Sequence, residues 1–243
     1  MTAGLLRFDE PVGATPRASL IVLAGRGEAA SVYTRLGRRL SADAYRVTVV
    51  PDVTRDPIQT AALVRGLIAD SDPAPVVVVG SDAGSVLALQ LASEPGSRIA
   101  ALVTAGLPVN TSIEVDAAAL IEARSACPVH RVVLADHDAV DPLALARELP
   151  AELRLPHADD VTVPVLAVHG EADVVAAIAG AETYYADLAD GRLARVPGGR
   201  HDILNDVTHR SVAATIVLFV EELRVGAPTI AVTAPESVEV FAQ

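Results

Sequence analysis

Val76-Val77-Val78-Val79-Gly80-Ser81-Asp82-Ala83-Gly84 is the stretch whose reading decides the fold. Four successive valines carry the branched side chains of a strand buried on both faces. Glycines stand two positions before and two positions after Asp82, and a helical pattern from Gly84 to Ala92 follows at once. Strand, tight turn and helix in that order hold the central side chain above the end of a sheet. The turn is strained, so its neighbours must be small. A helix N-terminus there favours a negative charge. The plainer role for Asp82 is an N-cap of that helix.

Working outward, short apolar runs repeat along the chain: Ser19 to Leu23, Arg46 to Val50, Pro75 to Val79, Ile99 to Val103 and Val163 to Val168. They are continuously apolar rather than alternating, which predicts parallel strands covered on both faces. Arg192 to Val196 alternates more and suits an edge strand, and Leu5 to Phe8 can begin the sheet. Helical patterns lie between them at Glu28 to Leu40, Ile58 to Ala69, Val175 to Leu188 and Asp206 to Leu223, with Asp206 a candidate N-cap. This alternation predicts an α/β protein with a mostly parallel, doubly wound sheet.

One segment, about 108–160, departs from the alternation. Prolines punctuate it, short helices fit Val115 to Arg124 and Pro142 to Glu148, and Val129 to Leu134 is strand-like. It reads as a small insertion over the sheet's carboxyl edge, with Val129 to Leu134 a sheet strand as the alternative. The expected organisation is one domain over residues 1–225 and a C-terminal extension over 226–243. The extension has strand-like alternation but no evident place in the sheet.

The composition bounds the function. The chain has 243 residues, 51% of them hydrophobic, enough for a sizeable core. The formal net charge is −12 and every cation apart from histidine is Arg, with no basic cluster beyond Arg38 and Arg39. That balance argues against nucleic acid or an anionic membrane as partner. The single cysteine, Cys127, cannot form an internal disulfide. No secretory leader and no spanning segment are read, so the expectation is a cytoplasmic protein without a membrane partner. Asp136, His137 and Asp138 fit a solvated turn better than a metal site, and no metal is expected.

Three further signals follow the order of the chain. Leu23-Ala24-Gly25-Arg26-Gly27-Glu28 comes directly after an apolar run, and glycines there let backbone N–H groups face an oxyanion. Gly25, Gly27 and Ala30, with Asp52 further on, also fit the dinucleotide-binding spacing, a reading that leaves the later signals unexplained. Next, Val165 to Val168 runs into His169-Gly170, with Asp173 three residues after the glycine. Finally, Pro197-Gly198-Gly199-Arg200-His201-Asp202 precedes the last helix. Elbow residue, acid and histidine stand in the order of one hydrolase class.

With those residues in place the chain resembles the α/β-hydrolase superfamily over roughly Ser19 to Val225. Gly198-Gly199-Arg200-His201-Asp202-Ile203-Leu204-Asn205-Asp206 is closest to its lysophospholipase and monoacylglycerol-lipase-like group. The resemblance implies Asp82, His201 and Asp173 as catalytic residues. Gly25, Arg26 and Ala83 then form the oxyanion and substrate-binding slot. It implies a small-molecule substrate and no cofactor, and leaves a homodimer open. Asp82 stands where serine is usual, and Ala24 where histidine is usual.

An aspartate there implies attack on a saturated carbon through a covalent ester, with His201 activating water and Asp173 orienting it. Epoxide hydrolases and haloalkane dehalogenases work in this way. This chain has no Trp, however, and Tyr33, Tyr45, Tyr184 and Tyr185 all lie outside the insertion. His130, His137 or Arg26 would have to activate the electrophile. The same residues also fit acid/base chemistry of a lyase, cyclase or dehydratase, or a silent ligand-binding homologue. Ser81 and Ser85 read as ordinary turn residues. Arg26 is either a receptor for an anionic substrate or a solvated loop charge.

Overall fold

The computed structural model describes residues 4–72, 75–109 and 117–230. Seven strands form one sheet: β1 (Leu6–Phe8), β2 (Ala18–Leu23), β3 (Tyr45–Val50), β4 (Val76–Ser81), β5 (Ala101–Ala105), β6 (Val165–Gly170) and β7 (Gly191–Val196). Their order across the sheet is β1-β3-β2-β4-β5-β6-β7. Among the described strands only β1 runs antiparallel, against β3. The continuously apolar runs are the central strands, and every residue of β2, β4, β5 and β6 is buried. β7, the more alternating run, lies at the edge and, among the described residues, pairs only with β6.

Strand residues alternate between two cores. Leu20, Val22, Val77, Val79 and Val103 face one way, towards Leu36 and Leu40 of α1 (Thr34–Ala42) and Ile216 and Val220 of α7 (His209–Val225). Ile21, Leu23, Val78 and Leu102 face the other. There they meet Val64 and Ile68 of α2 (Pro57–Ala69), Leu87 of α3 (Ala83–Ala92), and Ala181 and Tyr185 of α6 (Ile178–Ala186). This is the predicted α/β architecture, with helices on both faces of a mostly parallel sheet.

Three local expectations are corrected. Val129 to Leu134 is not a strand; α5 (Pro128–Leu134) is a helix, preceded by α4 (Ala117–Arg124). Pro128 is at the start of α5, where its missing N–H breaks no hydrogen bond. His130 and Leu134, four apart, are buried while Val129 and Val132 are exposed, so the burial period is helical despite the β-branched residues. The pattern at Pro142 to Glu148 yields only a 3-10 turn, Ala144–Ala146. Asp206 does not cap α7, whose N-cap is Thr208. Its carboxylate instead accepts from Ser125 Oγ and from the N–H groups of Ala126, Cys127 and Arg200. It thereby ties the α4–α5 turn to the loop before α7. The start of the Val115 to Arg124 helix and the extension beyond residue 230 lie outside the described residues.

Candidate active site

The carboxyl ends of β2, β4, β6 and β7 bring the distant signals together. β4 ends at Ser81 and α3 begins at Ala83, so Asp82 alone makes the turn, with φ 48° and ψ −121°. A positive φ at a non-glycine residue is strained, and it persists where the surroundings over-determine it. Here they do: a Cβ at Gly80 would meet the Gly84 carbonyl, and one at Gly84 would meet the Leu23 carbonyl. The turn therefore leaves Asp82 no other path. Asp82 also makes no side-chain cap of α3, so the N-cap role is set aside.

His201 sits in the loop between β7 and α7, and its Nδ1 is 2.9 Å from Asp173 Oδ2. Asp173 lies just after β6. Its Oδ1 accepts from the N–H groups of Val175 and Ala176, which fixes the carboxylate. Oδ2 is also 3.3 Å from His169 Nε2, which bonds the Ala176 carbonyl at 2.7 Å. His201 Nε2 faces Asp82 Oδ1 at 3.6 Å, an ion-pair distance rather than a hydrogen bond.

Arg26 departs most from a solvated loop charge, at 2% exposed. Its backbone N–H donates to Asp82 Oδ2 at 3.0 Å. Its guanidinium grips the same carboxylate with both arms, Nε to Oδ2 at 2.8 Å and Nη2 to Oδ1 at 2.8 Å. Nη1 donates to the carbonyls of Leu145 and Arg147 in the β5–β6 connection, at 3.2 and 3.0 Å. Gly25 suits this approach, because a Cβ there would lie in tight contact, 3.0 Å from Asp82 Cβ. Ala83 is fully buried at the first turn of α3.

The connection is stitched to this loop by backbone bonds. Ala29 N–H donates to Ala139, and Asp141 N–H to Gly27. A Cβ at Gly27 would collide with Ala144. The space a bound pyrophosphate would need over Gly25 and Gly27 is thus filled by Asp82 and by the connection. Asp52 accepts from Thr54 and lies 3.6 Å from Arg55. The dinucleotide reading is overturned.

A second buried charge cluster abuts the first and was not legible in the sequence. Arg124, at the end of α4, pairs with Glu28 and with Asp202, the latter at 3.0 Å. His130 Nε2 meets Asp202 Oδ2 at 2.8 Å, and Tyr33 donates to Glu28 Oε2 at 2.5 Å. Glu28 also accepts the Gly25 N–H at 2.8 Å. Arg124 therefore holds the Gly25–Glu28 loop and the His201–Asp202 loop to one another. Two acids beside site residues, Glu28 and Asp202, were the available signal; their shared cation 96 and 78 residues away was not.

Burial pushes the Asp82 carboxyl up, but Arg26 and His201 outweigh it and hold it well below the usual range. Burial pushes His201 down, but the two carboxylates, Asp173 first, raise it to about 10. Asp173 is lowered by His201 and His169 against the same burial. At neutral pH the site is a chain of alternating charge: Asp173 carboxylate, His201 imidazolium, Asp82 carboxylate, Arg26 guanidinium. Asp82 and His201 are 3% and 2% exposed, so the arrangement is closed to water. Among the described residues no group of His, Cys, Asp and Glu could hold a metal ion, and no helix is long and apolar enough to cross a membrane.

The family model for serine aminopeptidase S33 matches residues 151–208, which include Asp173 and His201 but not the elbow. A search of curated proteins finds no match. Among solved structures, a Paleococcus ferrophilus monoacylglycerol lipase is 17% identical with a TM-score of 0.72, covering 92% of this chain and 98% of that one. A Saccharomyces cerevisiae monoglyceride lipase is 15% identical, TM-score 0.71, covering 90% and 91%. An enol-lactonase from Burkholderia xenovorans LB400 is 19% identical, TM-score 0.72, covering 90% and 96%. The chain has the α/β-hydrolase fold.

Proposed function

We propose that the chain is a hydrolase acting on a small organic substrate, with Asp82 as nucleophile, His201 as proton carrier and Asp173 orienting His201. One observation carries the reading: the two oxygens of Asp82 have different surroundings. Oδ2 is on the Arg26 backbone N–H, and Oδ1 faces His201. If Oδ1 attacks a saturated carbon, it becomes the ester oxygen and Oδ2 the ester carbonyl. Oδ2 is then already on a donor when water adds and charge develops there.

The proton account is consistent with this. Oδ1 bonds to carbon, and the leaving group departs with its electron pair. Esterification removes one of the two charges that keep His201 protonated, so His201 becomes more acidic and gives its proton to an alkoxide leaving group, or to solvent where the leaving group departs as halide. Neutral His201 then takes a proton from water as that water attacks the ester. Hydrolysis returns the carboxylate and the imidazolium. The side chain of Arg26 must first leave Oδ1, which requires the segment bearing Leu145 and Arg147 to move.

A second reading keeps the residues and drops the ester. It is favoured by the guanidinium on both oxygens of Asp82, which weakens a nucleophile; Asp82 and His201 would then act as an acid/base pair in a lyase or cyclase. Single turnover in oxygen-18 water, with a panel of terminal epoxides and haloalkanes, separates the two. One label in the Asp82 peptide supports the ester. Turnover without label overturns it in favour of the second reading. Turnover unchanged in both Asp82→Asn and His201→Ala overturns the site itself.

A further inference from the structure

A concave site lies away from the elbow, between α1 and α5. It is a cavity of about 310 Å³, at the small end of ligand pockets. Val32, Val129 and Val133 form its walls, Arg35 and Arg38 flank it, and Asn205 and His130 complete it. We propose that this cavity binds an amphiphilic monoanion, a carboxylate on an alkyl chain of medium length.

Two observations support it. First, the apolar wall is presented rather than buried, since Val129 is 65% exposed at the start of α5. Second, Arg35 and Arg38 are three apart on α1, so they share a face. Most arginines of this acidic chain have a carboxylate partner within 4 Å. Among the described residues these two, like five others, have none, and Arg35 donates to the neutral Asn205 carbonyl and, at 3.7 Å, to Cys127 Sγ. A guanidinium fork without its anion is matched by a carboxylate. Valine walls with two unpaired cations at the rim select a tail and a negative head together. Neither feature takes part in the proposed reaction, so the inference stands independently of it.

The test is calorimetric titration of the full chain with sodium octanoate. Butyrate and octyl glucoside are the comparators, one lacking the tail and the other the charge. Octanoate should bind saturably at one site, with both comparators at least about tenfold weaker. Arg38→Gln and Val129→Asp, both at exposed positions, should each weaken octanoate by about fivefold or more with the unfolding midpoint unchanged. Arg210→Gln, an exposed arginine elsewhere that also has no carboxylate partner, should leave binding as it is. Absence of saturable binding, equal affinity for octyl glucoside, or indifference to both variants overturns the proposal. So does a concentration-dependent dimer that Val129→Asp abolishes while octanoate fails to bind, which would make the occupant a second copy of the chain.

Discussion

Replacing Asp82 with Asn changes one atom and tests the charge chain directly. The amide keeps the shape of the carboxylate, so the strained turn and its packing are retained. What changes is that Arg26, 2% exposed, loses its only carboxylate partner among the described residues, and His201 keeps Asp173. Removing one member of a buried ion pair typically costs about 3–5 kcal/mol, because the other charge stays desolvated. For a domain of this size each kcal/mol moves the midpoint by about 2–4 °C, so the expected fall is roughly 6–20 °C. The loss should be recovered in part by adding Arg26→Gln, since the double variant has no orphaned cation. The double variant should therefore be more stable than the sum of the two single losses by about 1–3 kcal/mol. Urea unfolding at pH 7 followed by circular dichroism measures all four proteins. A loss under about 1 kcal/mol for Asp82→Asn, or strict additivity, would refute the assignment of Arg26 and Asp82 as a desolvated, mutually dependent pair.

Three further outcomes are expected. His201, raised to about 10 from 6.5, lends stability that is complete below about pH 6.5 and lost as pH rises through 10; Asp82 and Asp173, both lowered, lend stability present above about pH 4 and lost in acid. Unfolding free energy measured against pH should thus be level from about 5 to 6.5, fall in acid below that, and fall progressively from about 6.5 to 10, with the alkaline fall smaller and ending at lower pH in Asp82→Asn. Arg124→Met leaves Glu28 and Asp202 buried without their shared cation, and should cost about 3–5 kcal/mol in denaturant titration; a loss below 1 kcal/mol would show that the cluster is solvated in solution. Gly84→Ala should give no soluble folded protein on size-exclusion chromatography, because the new methyl group meets the rigid Leu23 carbonyl of β2 rather than a side chain that can turn aside.

The sheet was readable because parallel strands buried on both faces leave a continuous apolar run, as in Val76 to Val79 and Val165 to Val168. The elbow was readable because its two glycines are demanded by backbone contacts that nothing larger survives. The pairing of His201 with Asp173 followed from their order and from the glycines beside them. The bond between Arg26 and Asp82 spans 56 residues, and nothing local distinguishes a buried arginine from a solvated one. α5 was misread for a related reason: its valines favour a strand, while the docking of His130 and Leu134 against the body decides for a helix. The burial of Glu28, Arg124 and Asp202 depends on three elements meeting at once, which no single stretch of sequence encodes.

The stitching of residues 139–147 to the Gly25–Ala29 loop has a kinetic side. Two backbone bonds and the two carbonyl bonds of Arg26 close over Asp82 together. A ligand bound for Asp82 meets a shut door whose opening frequency is a property of the protein alone. Its observed association rate should climb with concentration and then level off at that frequency. The plateau should rise in Arg26→Gln, which removes the latch from the inside.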